Sequence, residues 1–170
     1  TWEMWVKGPA ATIGVIYTEG WGGSNYRGQF RVHADGEGKV KIEFRNYAGT
    51  YLIPQGSTST TTVFDGSWHH IAIVGSTTAG ATTTVLYVDG VADATDFGTY
   101  LRPTAWDNTD GGALNNSVVG QISRAAQRMD NLANASNPYT WYNGEIDELR
   151  VWKRALSAEE IAGNSCSPLN

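Results

Sequence analysis

A chain of 170 residues, 41% hydrophobic and 17% charged, can bury a full core and carries too few charges to remain disordered. A formal net charge of −5 with no basic stripe excludes a partner held through its phosphates, so no nucleic acid is expected. No apolar run is long enough to span a bilayer, so no membrane insertion is expected. No signal segment precedes Thr1 and the chain opens directly in a strand-like stretch, as a mature or excised piece would. Cys166 is the single cysteine, which excludes an internal disulfide and a cysteine-based zinc site. An incidental thiol is favoured over one paired with another chain. Twenty glycines, 8 tyrosines and 7 tryptophans favour strands joined by tight turns.

Along the chain, Phe30, Val32 and Ala34 alternate with polar residues, and Val40-Lys41-Ile42-Glu43-Phe44-Arg45 repeats the pattern. Both read as half-solvated strands, apolar on one face and charged on the other. Asp35-Gly36-Glu37-Gly38 between them is a hairpin turn whose glycines accept positive φ. Strands are expected over Trp68–Val74 and Thr83–Val88 around a turn at Ser76–Ala81, with Asp89-Gly90 turning the chain into Val91-Ala92-Asp93. Alternation puts His69 with Ile71 and Ile73, as a hydrogen-bonded core histidine, and His70 on the other face with Trp68. His70 has no neighbour at metal-ligand spacing. Between Tyr100 and Asn143 the pattern is irregular, apart from a strand-like Leu114–Ile122. Ile146, Leu149 and Val151 all face a core only if a bulge at Asp147-Glu148 absorbs one residue. Ser157 and Glu160 have capping-box spacing, Leu156 and Ile161 a hydrophobic staple, and Gly163 suits a left-handed helix end. No internal repeat or linker is visible, so residues 1–170 read as one all-β, two-sheet antiparallel sandwich with one short C-terminal helical turn.

Three segments, Thr1-Trp2-Glu3-Met4-Trp5-Val6-Lys7, Phe64–Val74 with Leu86-Tyr87-Val88-Asp89-Gly90, and Gly144–Trp152 with Arg154-Ala155-Leu156-Ser157, resemble the LamG-like jelly-roll group of the concanavalin A-like lectin/glucanase superfamily. The resemblance implies a concanavalin A-like jelly roll. It also implies a further first strand beside the closing strand, for which no matching segment is found here. Either the chain is cut short of it, or another segment or chain covers that edge. Glucanases of the superfamily carry paired carboxylates along one strand, as retaining hydrolysis requires. Glu145 and Asp147 match the first two positions, but Leu149 and Arg150 stand where the next acid belongs, and Glu148 is out of phase.

The resemblance most often implies a non-catalytic module that binds a glycan or cell-surface polysaccharide, or mediates adhesion. The localisation implied is extracellular, cell-surface or virion-surface. Sugar recognition needs flat aromatic faces beside planar polar groups. Trp106, Tyr139, Trp141, Tyr142, Arg124 and Trp21 are the candidate ligand-binding residues, with Tyr26 nearby; each aromatic could equally plug an open end of the sandwich. Trp106–Asp110 and Arg124–Tyr142 are expected to form one loop end, with only one of Trp141 and Tyr142 facing a ligand. Asp107, Asn108 and Asp110 are the densest oxygen cluster and the candidate calcium site, with Asp130 and Asn131 a second; a turn with Asx caps is the alternative. A structural or assembly domain of a surface or virion protein, and a glucanase-type hydrolase, are the other two readings.

Overall fold

The computed structural model describes residues 1–20, 29–45, 51–54, 57–78, 81–101, 121–122 and 142–166. Its strands are β1 (Trp2–Lys7), β2 (Ile13–Gly20), β3 (Gln29–Asp35), β4 (Val40–Arg45), β5 (Trp68–Thr78), β6 (Ala81–Val88), β7 (Val91–Ala92), β8 (Thr99–Leu101), β9 (Gln121–Ile122) and β10 (Glu145–Val151). They form two antiparallel sheets, as the sequence predicts. The first runs β10-β1-β5-β6-β7, with β8 also on β6; the second runs β4-β3-β2-β9. One helix, α1 (Ala158–Asn164), follows among the described residues.

The core lies between the sheets. Met4, Val6, Ile71, Ile73, Leu86 and Val88 from the first meet Ile16, Tyr17, Phe30, Val32, Val40 and Ile42 from the second. A register shift between Val15 and Tyr17 lets Ile16 and Tyr17, neighbours in sequence, both enter the core. The turn after β3 is as expected. Gly36 and Gly38 hold φ of 89° and 85°, and Asp35 Oδ1 accepts from the amides of Glu37 and Lys39 at 2.8 and 2.9 Å.

The closing strand carries the anticipated bulge. Glu3 pairs with Arg150 but Trp5 with Asp147, and Glu148 takes φ of 49°. Two residues of β10 therefore oppose Met4, which brings Ile146 and Leu149 both onto the core. Val151 does not join them; paired with Trp2, it is 55% exposed. Only β1 flanks β10 among the described residues.

Two local expectations are corrected. The β5–β6 hairpin is longer than expected, because Ser76 and Thr77 continue the ladder opposite Thr83 and Thr82. Threonine is a good strand former, so this polar stretch prolongs the strands instead of turning. The helix does not end at a left-handed Gly163. It runs on to Asn164, where the Ser165 amide closes it onto Ile161 O at 3.0 Å. The start is as predicted, with both capping-box bonds formed. Leu156 and Ile161 are buried with Ala72 and Val74, on the face of the first sheet turned away from the main core.

The sandwich has two distinct ends. Lys7, Gly8, Thr12, Gly36, Gly38 and Gly66 meet at one: Gly66 N–H donates to Gly8 O, Gly36 N–H to Thr12 O, and Phe64 N–H to Gly38 O. At the other, Trp2 lies against Phe30 with ring centroids 4.6 Å apart.

Candidate functional site

The described strands fix where the candidate stretches leave and rejoin the sandwich. β2 ends at Gly20 and β8 at Leu101, both at the Trp2 end, and β9 starts there on Thr18. Trp21, Trp106, Asp107, Asn108 and Asp110 all follow these exits; Arg124, Tyr139 and Trp141 fall between Ile122 and Tyr142. All eight lie outside the described residues, as do Tyr26, Asp130 and Asn131. The second stretch rejoins the fold at the Lys7 end, opposite the exits of the first. The described anchors thus lie at both ends of the sandwich, and the single loop end expected from the sequence falls on residues outside the described ones.

Tyr142 is the one candidate that is described, and it is a core residue. It is 6% exposed, packs against Phe64 at 6.1 Å, and donates its hydroxyl to Lys7 O at 3.0 Å. Burial pushes its phenol above the ordinary range, against the bond to Lys7 O. A ring held this way plugs the Lys7 end and presents no face to a ligand. Of the pair at the mouth of β10, Trp141 is the one left as a ligand candidate.

The outward face of the second sheet is not solvated, contrary to the half-solvated reading of β3 and β4. Arg31 is 1% and Glu43 2% exposed, with a 3.1 Å ion pair between them. His33 and Lys41 approach the same carboxylate at 3.9 and 3.8 Å. Burial, and then the charges of Arg31 and Lys41, push His33 down to about 3, so it is neutral at ordinary pH. Alternation alone cannot reveal such a cluster, because a buried ion pair and a solvated one read identically in sequence.

The outward face of the first sheet holds a second polar cluster. Glu3 is fully buried; it accepts from Trp152 Nε1 at 3.0 Å and from Asn164 Nδ2 at 3.0 and 3.1 Å, with Arg150 Nη1 3.4 Å away. His70, also buried, lies 3.5 Å from Glu3 and edge-on to Trp5. Burial lowers its pKa. The two histidines thus divide differently from the expectation. His70 is deeply buried beside a carboxylate, while His69 sits at the margin of the core face. His69 Nδ1 is 2.7 Å from Asp89 Oδ2 and Nε2 is 3.2 Å from Asp65 Oδ1. Both ring nitrogens are thus engaged by carboxylates, and no group of three or more potential metal ligands occurs among the described residues.

The closing-strand acids are committed locally. Glu145 pairs with Lys7 at 2.9 Å, Glu148 with Arg150 at 2.6 Å, and Asp147 Oδ1 accepts from the Glu148 amide at 2.8 Å. Glu145 and Asp147 point outward at the sheet edge, paired across from Lys7 and Trp5.

Known proteins share this framework. A Sushi, von Willebrand factor type A, EGF and pentraxin domain-containing protein 1 from Rattus norvegicus is 34% identical over 119 residues, 68% of this chain and 3% of that protein. Its Mus musculus counterpart matches equally. The chain thus spans only a few per cent of the length of these curated relatives. The CBM40 of a Ruminococcus gnavus IT-sialidase, bound to alpha2,3 sialyllactose, superposes with a TM-score of 0.67 at 15% identity, covering 96% of this chain and 80% of that one. A heptameric SAP-like pentraxin from Limulus polyphemus gives 0.57 at 14%, covering 96% and 68%. At these identities the structures share the fold. The Laminin_G_3 family model matches residues 1–162, and the chain belongs to this family of the concanavalin A-like lectin/glucanases superfamily.

Proposed function

We propose that the chain is a non-catalytic module of an extracellular or surface protein that binds glycans or mediates adhesion through loops at the ends of the sandwich. One observation carries this reading: the polar clusters of the strands are spent on holding the fold. Glu3 fastens α1 and Trp152, the closing-strand acids pair with Lys7 and Arg150, and Glu43 pairs with Arg31. A scaffold of this kind leaves recognition to the loops it carries. The shared fold with a sialyllactose-bound carbohydrate-binding module supports the ligand class. Against hydrolysis stands the lack of a free carboxylate pair on the closing strand, where a nucleophile and an acid about 5–5.5 Å apart would be needed.

Trp21 and Trp106, which follow the strands that end at the Trp2 end, are candidate ligand-binding residues, with Asp107, Asn108 and Asp110 the candidate calcium ligands. Arg124, Tyr139 and Trp141 are candidates on the stretch that returns to the Lys7 end. A glycan array run with calcium and with chelator tests the reading. Weak binding is expected, with Kd about micromolar to millimolar, and Trp106→Ala or Trp141→Ala is expected to lower it with an unchanged melting temperature. Binding to no glycan in either arm overturns the proposal; unfolding of both variants makes these tryptophans core plugs. Calcium is expected to raise the melting temperature, and coincident melts remove it from the proposal.

Among the described residues β10 is paired by β1 alone, which favours an assembly domain as the second reading. Trp152 is 37% exposed beside Val151 at the end of that strand, and an unpaired edge can accept another strand. The bulge at Glu148 interrupts the ladder such a partner would need. An obligate oligomer that dissociates on Val151→Lys would favour assembly; a monomer favours the loops.

A further inference from the structure

We propose that Asp65, His69 and Asp89 form a proton-operated clasp, in which His69 joins the Asp65–Ser67 turn to the β6–β7 turn and lets the Asp65 side go on losing its proton. Three separate segments meet at this imidazole: the turn before β5, the first residues of β5, and the turn after β6. Each aspartate already has a backbone task. Asp65 Oδ1 accepts from the Ser67 amide at 2.8 Å, and Asp89 Oδ1 from the His70 amide at 2.9 Å. Both carboxylates are thereby aimed at the ring between them.

Only the doubly protonated imidazolium can donate from both nitrogens. After losing one proton the ring keeps a single N–H, and the shorter contact, 2.7 Å to Asp89 against 3.2 Å to Asp65, retains it. The Nε2 lone pair then faces the Asp65 carboxylate, and the contact turns from attractive to repulsive. Burial disfavours the charged ring, but the hydrogen bonds and charges of Asp89 and Asp65 outweigh it and raise His69 above 6.5. The Ser67 amide, and then His69, lower Asp65.

Among the described residues no other charge faces the ring. Val6 stands opposite His69 on β1, and Lys7 lies on the other face, over Trp68 and paired with Glu145. The Tyr142 hydroxyl bonds Lys7 O, and of the acids in the first turn of α1, Glu159 and Glu160, the latter pairs with Arg154. The turn that is released matters to the fold, because Gly66 N–H donates to Gly8 O and Phe64 N–H to Gly38 O across the Lys7 end.

A titration of the imidazole resonances of the 170-residue chain by NMR, with hydrogen exchange of single amides, tests this. His69 is expected to titrate above 6.5, and Asp65→Asn, which keeps an acceptor for Ser67, to shift that midpoint downward. Above the midpoint, protection of the Gly66 and Ser67 amides is expected to fall relative to that of His70, which Asp89 still holds. A wild-type midpoint at or below 6.5, an unmoved midpoint in Asp65→Asn, or parallel loss of protection at Ser67 and His70 would each overturn the clasp. The wild-type titration decides even if the variant fails to fold.

Discussion

At the scale of single residues, position within the sandwich decides what a polar group does. Tyr142 has the side chain of a sugar-stacking residue, yet its hydroxyl closes the Lys7 end by donating to Lys7 O. Tyr142→Phe is expected to cost about 1–2 kcal/mol by removing one buried hydrogen bond, with glycan binding unchanged; urea denaturation and the same array measure both. Glu3 is the harsher case. Glu3→Ala leaves Trp152, Asn164 and Arg150 facing a vacated acceptor, and breaking a buried charged cluster costs about 3–5 kcal/mol. Denaturant midpoints well below wild type are expected. Glycan binding should survive at temperatures where the variant is still folded, since Glu3 serves the scaffold. Gly144 allows no side chain, because a Cβ there would lie 2.3 Å from both Lys7 O and the Tyr142 hydroxyl.

At the scale of elements, α1 shows how a short helix persists. Seven residues are too few to be stable alone. The capping box satisfies the first turn, and Ile161 and Leu156 bury against Ala72 and Val74. Ser157→Ala is expected to cost about 1 kcal/mol and Ile161→Ala about 2–5 kcal/mol, both measured by denaturation. Amide exchange in α1 should report Ile161→Ala first, because packing supplies most of a short helix's stability. The β3–β4 turn and the helix start are legible in sequence because each rests on contacts a few residues apart, and the β10 bulge because Ile146 and Leu149, three apart, break the period of two. The hairpin tip is not legible, since Ser and Thr suit a turn and a strand about equally.

At the scale of the molecule, three histidines set opposing pH responses. His33, pushed down to about 3 by burial and by Arg31 and Lys41, stays neutral while the unfolded chain binds a proton near 6.5. Below 6.5 the unfolded state therefore gains protons that the folded state refuses, and stability falls with pH, by up to about 1.4 kcal/mol per unit for one such group. His70 acts in the same direction. Asp93, lowered by bonds from Thr95, Thr60 and Thr61 that outweigh its burial, adds stability above its ordinary 3.8 that is lost on further acidification. His69 has the opposite sign: its contribution is complete below 6.5 and disappears as pH rises through its folded value. His33→Gln is expected to flatten the acid limb of stability, and His69→Gln the alkaline one, when unfolding free energy is measured from pH 4 to 9. A parallel pH dependence in His33→Gln and wild type would contradict the burial of that ring.

The amino-acid sequence alone determined the sandwich class, the glycine turn at Asp35–Gly38, the capped helix and the bulge. Period-two alternation, positive φ and cap spacing are local, and few other structures satisfy them. The tertiary structure decided what the outward faces carry. Arg31 with Glu43 and Glu3 with His70 sit at positions that alternation assigns to solvent, and their burial depends on what else packs there. For Glu3 that cover includes Trp152 and Asn164, about 150 residues further along the chain. No pattern within a strand encodes a cover supplied from so far away, because the alternation records only which face is polar, and polarity is the same whether the charge meets water or a partner.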